Sequence, residues 1–362
     1  MAEVTIRDVE QVIERWAPPD TAMPGDPVGH QVGERDRTVH AVAVALDASP
    51  TQVQRAASEG CGLLVSHHPL IYRPLSRVDP SDPVGRSVSL LCRNEIALYV
   101  AHTNWDMAPG GVNDALAAVL DLRNLQPFAP QGARRFVKFV TFVPRADVQR
   151  VLDALSLAGA GEIGLYRRCA FFHPGTGTFE PLPGAKPAIG EVGTREEVEE
   201  YRLETVAPEA NVRELVGALR ESHPYEEPAF DILSVRSGPE LFLGRVGDLP
   251  SPQKPEAFVA LVGQRLGCTA RWLGASKERV GRVAVVGGSG GDLVAEAAAA
   301  GADALLTGEL RHHQLIEAYE RGLGIVDATH AATEQPGVEA LARRVESHFA
   351  GRVRVHCLAP SE

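Results

Sequence analysis

The feature that most constrains the fold is the alternation of short β-rich runs with helical patterns at both ends of the chain. Such alternation is typical of parallel sheets that helices cover. In the first third, the predicted strands span residues 39–46, 62–66 and 96–101. In the last third, they span residues 283–287, 304–307, 324–328 and 352–357. We therefore expect an α/β fold whose parallel-sheet core is built from the N- and C-terminal thirds.

The middle of the chain departs from this alternation. Between residues 125 and 244 the predicted order is strand 136–143, helix 145–157, strand 163–172, strand 198–206, helix 210–221 and strand 229–235, with a loop rich in Pro and Gly at 174–193. Both helices carry apolar residues at i, i+3, i+4 and i+7. This order predicts an inserted α+β domain of two βαβ units, a ferredoxin-like sandwich. Stretches rich in Pro and Gly flank it, at 126–132 and 238–255. The predicted segments are core 1–125, insert 126–244 and core 245–362.

Composition narrows the class of protein. The 362 residues include 36 Lys and Arg against 47 Asp and Glu, which gives a formal charge of −11 and argues against nucleic acid as a partner. No stretch reaches the ~18 apolar residues of a membrane span, and the N-terminus lacks the apolar core of a signal peptide. The five cysteines are scattered and form no CxxC pair. We expect a reduced, cytoplasmic protein without membrane or nucleic-acid partners.

Imidazoles and carboxylates follow three of the predicted strands. They are His67 and His68 after strand 62–66, His102 and Asp106 after strand 96–101, and His330 and Glu334 after strand 324–328. Parallel sheets place their functional sites at the carboxyl ends of strands, so these groups are expected to meet.

Each piece also has a plainer interpretation. Pro69 can simply end a strand in a solvated turn, Asp106 can cap a helix, and Glu334 can cap a helix that begins at Pro336. Together the three pieces favour a metal site. Imidazoles with two carboxylates suit Zn, Fe, Mn, Ni or Co, and they suffice for two ions if Glu334 bridges. Two ions that share a water lower its pKa toward ~7, which suits hydrolysis.

These motifs resemble the GTP cyclohydrolase 1 type 2 homologue family, the Nif-three-like dinuclear-metal proteins. The matching motifs are Ser66-His67-His68-Pro69, His102-Thr103-Asn104-Trp105-Asp106, Thr307-Gly308-Glu309, and His330 with Glu334. The resemblance implies two divalent metal ions per subunit and a homohexameric toroid. It implies that the ligands are His67, His68, Asp106, His330 and Glu334. It places His102 beside the metals, where it orients Asp106 or handles a proton.

The insert resembles the PII and CutA proteins. The resemblance rests on several stretches, among them His223-Pro224-Tyr225-Glu226-Glu227-Pro228 before the last strand of the insert. A structural turn is the simpler account of that stretch. The PII-like resemblance implies a domain that senses a small molecule.

Departures from the family pattern concern the surroundings of the site. Thr329 stands before His330 where the family usually has Gly, and Ala331 stands where it has an aromatic residue. Trp105 replaces a common aliphatic residue, so we expect it to narrow the pocket mouth or to offer a stacking face.

Two further motifs are candidates for substrate contact. Gly290 belongs to a glycine-rich turn at 287–291 that precedes a helix, and its N–H can bind a phosphate, although a tight turn is the simpler interpretation. His313 follows the Thr307-Gly308-Glu309 motif and is a candidate to line the cavity. Its neighbour His312 lies on an apolar face and is expected to be packed.

Two functions remain open from the sequence. The first is a metal-dependent hydrolase that acts on a nucleotide or related small molecule; the family name points to GTP. The second is a metal-binding regulatory or scaffold toroid that has a small-molecule-sensing insert and no turnover.

Overall fold

The computed structural model describes residues 3–164, 166–235 and 240–360. The chain divides into two compact units. The larger unit combines residues 1–132 with 241–362, and the smaller unit spans residues 133–240. Residues 238 and 239 of the predicted second joint lie outside the described residues.

The first sheet of the larger unit has five strands. They are β1 (Gly29–Val32), β2 (Ala41–Ala45), β3 (Leu63–Ser66), β4 (Ala97–Val100) and β15 (Arg354–Cys357). Their order is β1-β4-β3-β2-β15. β15, β2, β3 and β4 are parallel, whereas β1 is antiparallel to β4. Every residue of β2, β3 and β4 is buried, as expected for a parallel sheet with helices on both faces.

The second sheet of this unit has six strands. They are β5 (Arg123–Ala133), β10 (Glu240–Gln253), β11 (Arg271–Gly274), β12 (Val280–Val285), β13 (Ala304–Thr307) and β14 (Gly324–Asp327). Their order is β11-β14-β13-β12-β10-β5. β12, β13 and β14 are parallel, whereas β10 and β11 pair antiparallel with β12 and β14.

The core is therefore mixed, which corrects the expectation of a wholly parallel sheet. The antiparallel strands were missed because they lack the continuous apolar runs of the buried parallel ones. β11 begins with an exposed Arg271, and most of β5 is exposed and contains Pro and Gly. Such a composition indicates a joint between domains more readily than a strand.

Helices cover these sheets. They are α1 (Ile6–Trp16), α2 (Pro50–Ser58), α3 (Pro83–Arg93), α4 (Thr103–Met107), α5 (Val112–Val119), α8 (Pro255–Leu266), α9 (Val294–Ala299), α10 (His312–Glu320) and α11 (His330–Phe349). α5 and α11 pack together, and Val112 and Val338 share one apolar cluster with Val44 of β2.

α11 begins at His330. Pro336 had predicted a later start, at Pro336 itself. Pro336 lies inside the helix, although proline is favoured in the first turn. The earlier start places His330 and Glu334 four residues apart on one helical face. Neither residue therefore belongs to a loop.

In its described residues, the smaller unit has four strands and two α-helices. They are β6 (Phe136–Pro144), α6 (Val148–Leu157), β7 (Ala170–Phe179), β8 (Glu196–Pro208), α7 (Val212–Ser222) and β9 (Phe230–Val235). The sheet order is β7-β8-β6-β9, and every pairing is antiparallel. Apolar residues of both helices, such as Leu155 and Leu219, pack with Phe139 and Leu203 of the sheet.

β7 starts later than the predicted strand at 163–172. Residues 174–179, predicted as loop because of their Pro and Gly, belong to this strand. β7 is an edge strand, where proline is tolerated because its missing N–H costs no hydrogen bond between strands.

None of the described helices combines the length and the apolar character needed to cross a membrane.

Candidate metal centre

His67 and His68 continue the ladder between β2 and β3 beyond its last pair. The His67 N–H donates to the Ala45 carbonyl at 3.0 Å, and the His68 N–H donates to the Leu46 carbonyl at 2.8 Å. The His67 ring is buried, and its Nδ1 donates to the Ala101 carbonyl at 2.8 Å. Because a carbonyl only accepts, the Nδ1 atom carries a proton in both the charged and the neutral ring, and Nε2 is the atom that offers a lone pair once the ring is neutral.

His102 and Asp106 are held by the start of α4. His102 is the residue before the helix, and its carbonyl accepts the Asp106 N–H at 3.1 Å. The His102 Nδ1 atom donates to the Asp26 carboxylate at 2.8 Å, which also accepts the N–H and the hydroxyl of Thr103. Burial opposes the charge of Asp26, but these hydrogen bonds hold its pKa below the usual value. Asp26 thus fixes the orientation of the His102 ring.

His330 and Glu334 complete the cluster from the first turns of α11. The Glu334 Oε1 atom lies 3.1 Å from the His330 Nε2 atom and 3.6 Å from the His67 Nε2 atom. The other oxygen, Oε2, lies 2.9 Å from the His68 Nε2 atom. One buried carboxylate therefore faces three imidazoles.

Two buried atoms of this cluster have no hydrogen-bond partner among the described residues. They are the His67 Nε2 and Asp106 Oδ1 atoms, which lie 3.6 Å apart. An unsatisfied buried polar atom is costly unless something binds it. Two neighbouring groups of side chains could hold a metal ion, one formed by His67, His68 and His102 and the other by His68, His330 and Glu334.

The charges of the cluster favour a bound cation. Burial disfavours a charged His67, but the Glu334 and Asp106 carboxylates outweigh burial and raise the pKa of His67 to about 9. Burial raises the pKa of Asp106 to about 6, even though His67 opposes the shift. Burial also opposes ionisation of Glu334, but His67 and the hydrogen bonds from the imidazoles hold its pKa well below the usual range. A metal ion that binds here displaces protons.

The glycine-rich turn at 287–291 packs against the cluster. Gly288 has a φ of +65°, and a Cβ atom there would lie 2.2 Å from the Glu334 Oε1 atom. Three N–H groups of the turn donate to side chains: Gly287 to Asn113, Gly288 to Thr333 and Gly290 to Thr307. Because the Gly290 N–H is already occupied, it is not a free donor for a phosphate.

The other sequence candidates differ in burial. Trp105 is fully buried in the apolar core, and its indole N–H donates to the Gly337 carbonyl at 3.0 Å, so it offers no stacking face at a pocket mouth. His312 was expected to be packed but is exposed at the start of α10. His313 is also exposed, and its contact with a substrate stays a prediction.

Asp26 is the residue that sequence reasoning missed. It lies 76 positions before His102, between Gly25 and Pro27, in a stretch without periodic pattern. No local signal in the sequence connects it to α4.

The whole-chain comparison agrees with the motifs. The family model described as Duf34/NIF3 (NGG1p interacting factor 3) matches residues 4–361. The chain belongs to the DUF34/NIF3 family. Similar members include a protein of Bacillus subtilis (strain 168), 39% identical over 343 residues, which cover 94% of this chain and 92% of the relative. A Mycobacterium tuberculosis (strain H37Rv) protein is 40% identical over 358 residues, which cover 97% of this chain and 94% of the relative. Both are named GTP cyclohydrolase 1 type 2 homolog.

A solved structure of this DUF34/NIF3 type supports the fold. The Bacillus cereus protein related to NIF3 superposes with a TM-score of 0.72 at 35% identity, and the match covers 100% of this chain and 98% of that one.

Proposed function

We propose that this DUF34/NIF3 protein binds two divalent metal ions and uses them to hydrolyse a nucleotide or a related small molecule. The observation that carries the proposal is the pair of unpartnered buried atoms, His67 Nε2 and Asp106 Oδ1. Both atoms are metal-ligand types, and both lie beside Glu334 in a site whose charges favour a cation.

The proposed ligands are His67, His68, Asp106, His330 and Glu334. Glu334 is the proposed bridge because its two oxygens face different imidazoles, His330 and His67 on one side and His68 on the other. This donor set of imidazoles and carboxylates suits Zn, Fe, Mn, Ni or Co and has no thiolate.

Divalent ions bound here would supply water activation and neutralisation of developing negative charge. The protein's own residues supply orientation. The Ala101 carbonyl fixes the His67 tautomer, and Asp26 fixes the His102 ring so that its Nε2 atom is directed away from the Asp26 hydrogen bond. His102 is therefore suited to hold or pass a proton beside the ligands.

GTP is the substrate to test first, because the similar proteins carry the GTP cyclohydrolase name. Protein loaded with each candidate metal is incubated with GTP, and formate release is measured together with metal content. We expect turnover in the wild type and in Glu339→Gln, an exposed carboxylate on the same helix, but not in Glu334→Gln. Equal, negligible turnover in the wild type and Glu334→Gln would overturn the proposal that the protein hydrolyses GTP.

We further propose that the chain assembles as a homohexamer. An apolar patch on α10, with Ile316 48% and Tyr319 68% exposed, supports a subunit contact. Light scattering after size exclusion should give six times the 38.7 kDa of one chain. A mass of one or two chains would contradict the proposal.

The proposed identity of residues 126–244 is an inserted ferredoxin-like domain of the PII/CutA type, between core segments 1–125 and 245–362. The strand order β7-β8-β6-β9, with one helix after β6 and one after β8, supports this assignment.

A further inference from the structure

The smaller unit contains a cavity of about 590 Å³, which we call the insert cavity. It is lined by β7 and β8, by the segment at 180–189 and by the turn at 225–229. The Lys186 N–H donates to the Glu226 carboxylate at 3.0 Å and ties the segment to the turn. The volume falls within the range of small-molecule sites.

A buried carboxylate faces this cavity. Glu200 of β8 is only 7% exposed, and it forms no ion pair with a Lys, Arg or His in the described part of the chain. The neighbouring strand β7 has a glycine at this point: a Cβ atom on Gly177 would lie 2.0 Å from the Glu200 Oε2 atom, so a larger residue there would displace the carboxylate. A buried charge without a counter-ion is costly, which favours a ligand that supplies one.

The rest of the lining adds negative charge. Glu180, Glu226 and Glu227 also line the cavity, together with one guanidinium, that of Arg202, and one imidazole, that of His173. The Arg202 Nε atom already donates to Glu204 at 2.7 Å, so this guanidinium has its own counter-ion. The cavity therefore carries an excess of uncompensated negative charge.

Aromatic rings form part of the same lining. Phe142, Phe179 and Tyr225 contribute, and the Phe179 and Tyr225 rings meet edge to face at 5.7 Å. The Tyr225 hydroxyl is buried and has no hydrogen-bond partner among the described residues. Burial, together with the Glu200 carboxylate nearby, raises the pKa of Tyr225, so its hydroxyl stays protonated. Aromatic faces beside a carboxylate are a setting that attracts cations with an apolar body.

We propose that the insert cavity binds a small organic cation, an ammonium group on an apolar or aromatic body, with Glu200 as its counter-ion. Nothing in this proposal depends on the metals or on turnover at the metal centre.

The test uses the full-length protein and three probes of one shape but different charge: tryptamine, tryptophol and indole-3-acetate. Calorimetry measures their binding at pH 7. We expect tryptamine to bind at least tenfold more tightly than neutral tryptophol, and anionic indole-3-acetate to bind least. Absence of tryptamine binding, or equal affinity for the three probes, would overturn the proposal.

Substitutions locate the site. Glu200→Gln should weaken tryptamine binding by about thirtyfold or more, since it removes the counter-ion of a buried charge. Glu199→Gln, at the exposed neighbouring position of β8, should leave binding unchanged. Ala185→Trp adds bulk to the exposed segment that lines the cavity and should also block binding. Thermal melting confirms that each variant is folded. Unchanged affinity in folded Glu200→Gln and Ala185→Trp would overturn the proposal.

Discussion

The metal centre and the insert cavity each contain a buried carboxylate, but the groups that surround the two carboxylates differ. Glu334 in the larger unit faces the imidazoles of His67, His68 and His330. Glu200 in the smaller unit faces the insert cavity and forms no ion pair within the described part of the chain. The imidazoles hold the pKa of Glu334 well below its usual range.

The difference indicates what each carboxylate binds. Imidazole nitrogens and carboxylate oxygens converge around Glu334, so the positive charge that completes the site is a metal ion held by lone pairs. In the described residues no set of nitrogens converges on Glu200, although the His223 imidazole interacts with it electrostatically. Aromatic rings and further carboxylates line the cavity beside it, so an organic cation completes that site. The two sites should therefore lose their ligands through different substitutions.

The largest expected effect is on metal affinity. Glu334→Gln removes the charge that faces three imidazoles, so we expect divalent metal affinity to fall by about a hundredfold. Competition with a chromophoric chelator measures it. Glu200→Gln should leave metal affinity within about twofold, since the Glu200 side chain lies outside the metal centre. Equal losses of metal affinity in the two variants would contradict the assignment of the metal ions to the cluster around Glu334.

The next effect comes from Gly288→Ala. The new Cβ atom would lie 2.2 Å from the Glu334 Oε1 atom and 3.1 Å from the His330 Nε2 atom, so the carboxylate must move. We expect metal affinity to fall by about tenfold or more. Gly301→Ala is the matched control, because its φ of +74° imposes similar backbone strain but no atom lies within 4 Å. Loss of metal in both variants would implicate general unfolding instead of the site.

A third effect is the pH dependence of the metal-free protein. The pKa of His67 is raised from 6.5 to about 9, so its contribution to stability is complete below pH 6.5 and is lost as the pH rises through 9. We expect the free energy of unfolding to fall by on the order of 2 kcal/mol over that window. Urea denaturation with a chelator present measures it. If the free energy of unfolding of His67→Gln fell equally steeply with pH, the pH dependence could not be assigned to His67.

The smallest effect concerns Thr329, the residue before the first residue of α11. Its φ of +63° with ψ of 151° is a conformation that only glycine adopts cheaply. Thr329→Gly should raise the free energy of unfolding by about 1 kcal/mol, with the relief of strain exceeding the added chain entropy. Metal affinity should stay the same. A lower midpoint of urea denaturation would show that Thr329 is not strained.

Much of the site was predictable because each buried apolar strand ends directly in its polar residues. His67 and His68 follow β3, and His102 follows its parallel neighbour β4, so pairing brings these ends together. His330 follows β14 of the other sheet, so strand pairing alone does not predict its approach to them. Asp26 was not predictable, since it reaches His102 from a stretch without pattern. The start of α11 was misplaced because Pro336 is a strong signal for a first turn.

The insert was less predictable in detail. Apolar periodicity predicted its order of helices and strands. It did not predict the extent of edge strand β7, because the Pro and Gly residues of this strand are typical of a loop. Glu200 has no ion-pair partner in the described residues, and this follows from how the folded chain packs around it. No pattern of residues along the sequence encodes that.

Anomalous diffraction from crystals of the metal-loaded full chain tests whether the cluster around Glu334 binds two metal ions. With data collected on both sides of the absorption edge of the supplied metal, we predict two peaks per chain about 3.5–4 Å apart among the donor atoms of the cluster. His67, His68, Asp106, His330 and Glu334 should surround them. A cluster without any peak, while metal binds elsewhere, would contradict the account, and a single peak would contradict the two-ion centre.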